Sequence, residues 1–369
     1  MNKKIVFIVN AIGTQRCIKR IDEFAERGYY VEAFGFDRGL QSNKQPKRCE
    51  IKEIGCINNS TGYLKRLKTI YYGVNYVLKK TRNEEVLYYV FGLDNAMFFM
   101  LQSSKKFIYE ESDLVHTYMK SKLAISFFEW IDKRAIKKSL LSVFTSEGFI
   151  RYHFGDNRPE NTHVIANRLP LTVNNLEKRS KKPLDIDHLS IGFVGYLRFN
   201  TIANFCKVFC EHYPEHNFHF FGVTNNEPDR LLFEPLKKYS TCHFHGPFKH
   251  PNDLPEVYSQ IDLVLSTYDV ENENVRYAEP NKIYEAIYFK TPIVVSSGTF
   301  LAEKVEELGI GYAIDAMDEN EIVNFVNSLT EKSIMEKVEN IRKIDTRKSL
   351  NINDGFFEKL ENMLNLVRF

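Results

Sequence analysis

Apolar runs of strand length alternate with longer amphipathic segments along nearly the whole chain. In the first half the short runs are Ile5–Val9, Val31–Gly35, Val86–Phe91, Phe107–Tyr109, Leu141–Thr145 and His163–Ile165. Most are continuously apolar rather than alternating with polar residues, which predicts strands buried on both faces. Between them, Arg16–Arg27, Tyr63–Lys80, Ala96–Gln102 and Leu123–Lys138 carry apolar residues at helical spacing. Strands separated by helices build βαβ units, in which helices cover both faces of a parallel sheet. The rhythm breaks at Pro170 and at the polar, lysine-rich Asn174–Pro183, a linker composition. It restarts with strands at Leu189–Val194, Phe218–Phe221, Cys242–His245, Leu263–Ser266, Pro292–Val295 and Gly311–Ile314. Helices are predicted at Thr201–His212, Leu254–Gln260, Asn281–Phe289, Phe300–Glu307 and Glu319–Leu329, and two more over about Lys332–Lys343 and Gly355–Leu366.

The pattern predicts an α/β protein of two doubly wound, Rossmann-like domains. They cover residues 1–172 and 189–350, with a linker over 173–188 and a C-terminal helix within 351–369. A chain of 369 residues is long enough for each half to bury its own core. Two such domains are expected to face a central cleft and hold ligands at the carboxyl ends of their strands.

Composition narrows the class. Hydrophobic content of 43% and charged content of 27% belong to a globular chain. The apolar run Ile5–Val9 is followed by Asn10 and Gly13-Thr-Gln-Arg16, so the N-terminus is expected to be a first buried strand, not a signal peptide. No apolar stretch reaches the ~20 residues of a membrane-crossing helix. A cytoplasmic protein, at most peripheral to the inner face of the plasma membrane, is expected. Six cysteines without a Cys-x-x-Cys pair suit free thiols in a reducing compartment. Cys206 and Cys210 share a helix face and Cys242, His243 and His245 follow; a zinc site needs these to converge, and buried thiols are expected instead. The net charge of +2 conceals an asymmetry. Residues 1–180 hold 30 Lys and Arg against 19 Asp and Glu, giving +11, and residues 181–369 hold 20 against 29, giving −9. The basic half suits an anionic partner: a phosphate-linked acceptor, an anionic membrane surface or nucleic acid. Nothing like a nucleic-acid recognition motif is present, and no nucleic acid is expected.

The most informative stretch is Glu279-Pro-Asn-Lys282-Ile-Tyr-Glu285, running on through Thr291-Pro-Ile-Val-Val to Gly298. Pro280 fits a first helical turn, where its missing N–H costs nothing. The following helix then points free N–H groups and the positive end of its dipole outward, which favours an anion. Lys282 adds a full charge there. Glu285, one turn further, is placed to accept two hydrogen bonds from a ribose diol. Upstream, Gly192-Phe-Val-Gly195-Tyr-Leu-Arg198 is a strand that ends in a glycine and an arginine. Gly195 allows close approach of a ligand to the backbone, and Arg198 can pair with phosphate oxygens in fork geometry. A dinucleotide-type Gly-x-Gly-x-x-Gly is absent there and after Val9, which argues against a nicotinamide enzyme.

The order strand, Pro-Asn-Lys-x-Tyr-Glu helix, Thr-Pro-Ile-Val-Val strand resembles the donor site of GT-B glycosyltransferases. It is most similar to bacterial members related to glycosyltransferase family 4 that build capsule or O-antigen polysaccharides. Gly246-Pro-Phe, Leu254-Pro-Glu-Val-Tyr258, Asp262-Leu-Val-Leu265 and Val275-Arg-Tyr-Ala278 fit the same resemblance, which covers about Ile191–Ile314. It implies that Glu285 holds the nucleotide ribose and that Lys282, with the helix end, and Arg198 meet the diphosphate; Gly195, Asn281 and Glu279 are further donor-side candidates. The family usually carries a second glutamate eight residues ahead; here that position is Tyr277, and Glu279 stands nearby at a different spacing.

A third cluster, Tyr109-Glu-Glu111-Ser-Asp113-Leu-Val-His116, follows directly on a strand. Transfer to a hydroxyl needs a base or precise electrostatic positioning. Asp113 is the first choice for a base if the reaction inverts, Glu111 the second, and the resemblance gives His116 a polar contact to sugar or phosphate. This cluster has no Asp-x-Asp pair, and metal-independent chemistry without a cofactor is expected. Gly13, Thr14 and Arg16, after the first strand, are expected on the acceptor side. Tyr63–Lys80 mixes basic and aromatic residues on a helix that can lie on an anionic membrane or simply cover a core. The expected activity is transfer of a hexosyl group from a nucleotide-sugar donor to a glycan or polyprenyl-diphosphate-linked acceptor in bacterial surface polysaccharide biosynthesis. A GT-B epimerase, or a nucleotide-sugar-binding protein without transfer, would share the same donor site.

Overall fold

The computed structural model describes residues 3–39, 44–58, 62–177 and 179–366. Residues 1–2, Lys178 of the expected linker and residues 367–369 of the expected terminal segment lie outside these. Contacts divide the chain into two compact units: Met1–Ile165 with Asp354–Phe369, and Ala166–Asn353.

The first unit is a parallel sheet of β1 (Lys4–Val9), β2 (Tyr30–Asp37), β3 (Ile51–Cys56), β4 (Leu87–Phe91), β5 (Phe107–Glu111), β6 (Leu141–Phe144) and β7 (Thr162–Val164). The strands run in the order β3-β2-β1-β4-β5-β6-β7. Strand order reverses between β1 and β4, the point at which such sheets open a crevice at their carboxyl ends. Right-handed crossovers on either side of that point send helices to opposite faces. One face buries Phe7, Phe24, Tyr89 and Phe91 against Phe356, Phe357 and Leu360 of the last helix, Asp354–Leu366. Helices Tyr63–Lys80, Leu93–Gln102 and Lys122–Lys138 pack side by side elsewhere on the unit.

The second unit is built the same way from β8 (Ser190–Val194), β9 (Asn217–Phe221), β10 (Cys242–Gly246), β11 (Leu263–Ser266), β12 (Ile293–Ser296) and β13 (Gly311–Ile314). Its order is β10-β9-β8-β11-β12-β13, all parallel, with the reversal between β8 and β11. Its core gathers Phe193, Phe205, Phe209, Phe218 and Phe220.

Where the sequence places the first boundary at residue 172 and a separate terminal helix, the contacts divide the chain at Ile165 and return that helix to the first unit. The reason is local. Leu169 and Leu350 form a parallel bridge, Leu169 N–H donates to Ser349 O at 3.0 Å, and Asn351 N–H donates to Leu169 O at 2.7 Å. This ties both crossing segments to the second unit. Strand β3 and the short helices Glu147–Phe154, Glu227–Phe233 and Glu273–Tyr277 are additional to the expected elements.

Candidate functional site

At the reversal point of the second unit, β8 ends at Val194 and turns through Gly195 (φ 146°), whose N–H donates to Phe221 O at 2.8 Å. The turn runs against Gly222 (φ 148°); a Cβ on Gly222 would stand 1.8 Å from Gly195 O, so only glycine fits there. A Cβ on Gly195 would lie 3.9 Å from Lys282 Cε. The bare backbone of the β8 turn therefore faces the lysine that begins helix Lys282–Phe289. Asn281 precedes that helix without a side-chain capping bond. By contrast, the helix that follows β8, Asn200–His212, has its end filled: Asp269 accepts from the N–H groups of Asn200 (3.4 Å) and Thr201 (3.1 Å). Of these two helix ends at the reversal point, the one carrying Lys282 is open to an anion.

Glu285 is completely buried, and both its oxygens are engaged. Lys282 Nζ donates at 3.1 Å to each, Tyr258 OH donates at 2.7 Å, the Asn281 amide donates to Oε1, and His250 Nε2 lies 3.6 Å from Oε1. Burial pushes its carboxyl up, but the Lys282 ammonium, His250 and Tyr258 outweigh this and hold it below its ordinary value. Tyr258 is fixed by stacking on Phe289, centroids 4.7 Å apart. Arg198 is exposed and lies over the Phe199 ring at 4.7 Å. Tyr268, just past β11, meets Phe199 edge-on at 4.9 Å and exchanges backbone bonds of 2.8 Å with Ser296 Oγ. Burial raises the Tyr268 hydroxyl's pKa, against the lowering effects of its hydrogen bond with Ser266 (3.1 Å) and of Arg198.

The structure thus brings Gly195, Asn281, Lys282 and Glu285 together, with Arg198 on the same turn. Glu279 is buried and bound instead by Lys304 Nζ at 2.8 Å, beside Tyr284, over which Lys304 and Arg168 both lie at 5.6 Å. His250 and Tyr268 were not singled out in the sequence, and Tyr258 was named only as the end of the Leu254–Tyr258 stretch, without a role. Tyr258 and His250 join Glu285 only through tertiary folding; the position of Tyr268, directly after a strand bordering the reversal point, is the signal that could have found it.

In the first unit, alternation along β5 sends Glu110 and Glu111 to opposite faces. Glu110 is buried with Arg20 (Nε to Oε2 3.2 Å) and with the Tyr89 hydroxyl. Glu111 is buried against His153, whose Nε2 lies 3.0 Å from both carboxylate oxygens. Asp132, from helix Lys122–Lys138, joins them; it accepts from Tyr109 OH at 2.7 Å and lies 3.4 Å from His116 Nδ1. Burial, then the neighbouring Asp132, pushes the Glu111 carboxyl up to about 8 against the opposing pull of His153. Burial lowers the His153 imidazole, but Glu111 outweighs it and leaves it raised. Glu111 and His116 therefore face the unit's interior rather than forming an open row with Asp113, because Asp132 closes over them. Asp113 is exposed.

Gly13 (φ 83°), Thr14 and Arg16 follow β1, at the reversal point of the first sheet. Thr14 precedes helix Gln15–Glu26 without a side-chain capping bond, and the Nε of half-buried Arg16 is buried with no hydrogen-bond partner. Arg38 Nε donates to Asn10 O at 2.7 Å beside them.

Among the described residues, two groups of side chains have potential metal-ligating atoms within 4.8 Å of one another: Glu111, Asp132 and His153, and Cys206, Cys210 and Cys242. The three sulfurs do converge, Cys206 lying 3.9 Å from Cys210 and 3.6 Å from Cys242, but within the hydrophobic core. His243 pairs with Asn217 and His245 with His219 instead.

Two parallel α/β sheets, each with its own reversal point, make up the GT-B fold, and solved structures agree over the full length. HepE of Anabaena in complex with UDP matches with a TM-score of 0.67 at 14% identity, covering 99% of each chain. Sucrose-phosphate synthase from Thermosynechococcus elongatus matches at 0.66 and 14% identity, over 99% of this chain and 98% of that one. A glycosyltransferase from Rickettsia africae matches at 0.66 and 13%, over 100% and 99%. At such identities the likeness establishes the fold. In sequence, residues 200–362 match the family model described as glucosyltransferase 3-like, C-terminal domain. No curated protein sequence matches the chain.

Proposed function

We propose that this chain is a glycosyltransferase that takes a hexosyl group from a nucleotide-sugar donor and transfers it to a glycan or polyprenyl-diphosphate-linked acceptor in bacterial surface polysaccharide biosynthesis. The observation that carries this reading is the contact between the Gly195 turn and Lys282 at an uncapped helix start, on the reversal point of the second sheet. The family match over residues 200–362 includes the Lys282 helix and Glu285 but not the Gly195 turn, and HepE, similar in fold, is described with UDP and with UDP-glucose.

In this reading the donor diphosphate meets the bare backbone at Gly195, the Lys282 ammonium and the helix dipole, with Arg198 at the rim. These groups lie where negative charge develops as the diphosphate departs, and they act without reorganisation. Glu285 serves twice. It orients Lys282 and Asn281, and it receives the ribose diol in place of the Asn281 amide, its half-buried partner. On the acceptor side, Arg16 supplies an unsatisfied donor for a phosphate-linked acceptor beside Gly13 and Thr14. Asp113 is the carboxylate of its cluster that a hydroxyl arriving from solvent can meet, while Glu111 and His116 hold the strand end in place.

The test is thermal denaturation with UDP, GDP, CMP and TDP compounds. A nucleotide at about 100 times its dissociation constant adds ~2.7 kcal/mol of stability. The Glu285→Ala variant is expected to lose that gain. A chain that none of these nucleotides stabilises is not this enzyme.

A further inference from the structure

Helix Lys122–Lys138 turns its inner side to the core through Phe128, Ile131, Ala135 and Ile136. Its outer side is unusual. Leu123, Phe127 and Trp130 fall at i, i+4 and i+7 on one stripe and are 85%, 54% and 57% exposed. Phe127 stacks on Trp130 with ring centroids 6.3 Å apart, so the patch is a continuous surface, not a scatter of single residues. The same stripe continues as Arg134, Lys137 and Lys138, all exposed, with the Arg134 guanidinium 5.5 Å over the Trp130 ring. Lys133 is neutralised by Glu129 at 2.8 Å, and Asp132 is buried, so no carboxylate of this helix offsets the basic end. Lys120 and Lys122 flank the apolar end.

We propose that this stripe docks the protein on an anionic lipid bilayer, with Leu123, Phe127 and Trp130 entering the boundary between headgroups and acyl chains and the basic residues meeting lipid phosphates. Three observations select this occupant. The aromatic and apolar positions form a band that ends in cations, as interfacial helices do. Trp and long basic side chains combine an apolar body with a polar tip suited to that boundary. Pairing with a second copy through the same stripe would bury the apolar patch but gather Arg134, Lys137 and Lys138 from both chains without a carboxylate to offset them. The sequence leaves Tyr63–Lys80 open between lying on a membrane and covering a core; that helix also exposes Leu64, Tyr72 and Tyr76, but it is at Lys122–Lys138 that the apolar stripe runs into an unpaired basic end. The inference does not depend on the transferase reading.

Trp130 is the chain's one tryptophan, so its fluorescence reports this contact directly. Vesicles of phosphatidylcholine with a quarter phosphatidylglycerol, titrated at low salt into the full chain, are expected to shift Trp130 emission to the blue. Added salt, or vesicles of phosphatidylcholine alone, should weaken the effect. In vesicle sedimentation, Leu123→Ser/Phe127→Ser is expected to reduce partitioning about tenfold or more, since each apolar side chain contributes on the order of a decade of affinity. Both positions are exposed, so its melting temperature should match the parent. An unshifted Trp130 emission at low salt overturns the proposal whatever the variant does. So does unchanged partitioning of the double variant, or a blue shift that grows with protein concentration in the absence of vesicles, which would mark self-association.

Discussion

Lys282 and Glu285 stand one turn apart on a helix, and burial makes each depend on the other. Glu285 keeps its charge inside the protein because Lys282, Tyr258, Asn281 and His250 surround it. Replacing Lys282 by methionine strands that carboxylate. Stability is expected to fall by about 3–5 kcal/mol, the range for breaking a buried pair, and adding Glu285→Gln should restore part of it in urea titrations. Gly222→Ala tests the neighbouring turn. Its Cβ collides with Gly195 O, so the β8 turn must move, and nucleotide stabilisation should be lost even where the variant remains folded. Lys282, Glu285, Gly195 and Arg198 were legible in the sequence because their chemistry is local: a strand end with glycine and arginine, and a helix start with proline and lysine. Their partners were not. Tyr258 and His250 come from other segments, and no spacing rule shows that they meet Glu285.

At the scale of elements, β5 and the helices packed against it enclose more proton-binding capacity than the unfolded chain has. Glu111 is raised from 4.5 to about 8, and His153 is raised from 6.5. Both folded values lie above the unfolded ones, so the native state binds the extra protons. This contribution is complete below the unfolded values and is lost as pH rises through the folded ones. Asp132, His116, Tyr109 and Lys133 face the same cluster, and Asp132 works in the same direction on Glu111. Urea midpoints are therefore expected to decline between about pH 5 and pH 8.5, and Glu111→Gln, which mimics the protonated carboxyl, should flatten the decline. The hydrophobic rhythm revealed most buried strands because both of their faces are apolar. Strand β3 escaped it because Ile51-Lys-Glu-Ile-Gly-Cys sits at a sheet edge with Ile51 alone fully buried. The closure of Asp132 over Glu111 escaped it as well, since a single acid on a helix gives no sign of which way it faces.

At the scale of the whole molecule, the chain leaves the first unit at Ile165 and returns to it at Asp354. The returning helix buries Phe356, Phe357, Leu360 and Leu364, and Phe24 meets both phenylalanine rings edge-on. Phe357→Ala is expected to cost about 3–5 kcal/mol, and to lower the melting of the first unit alone in calorimetry while the second is unaffected. Because those side chains complete the first core, the unit encoded first cannot be finished first. During synthesis the ribosome must emit residues through Leu364 before the aromatic cluster around Phe24 closes, by which time every residue of the second unit has already emerged. The first unit therefore waits, with an apolar sheet face uncovered, until Leu364 has emerged.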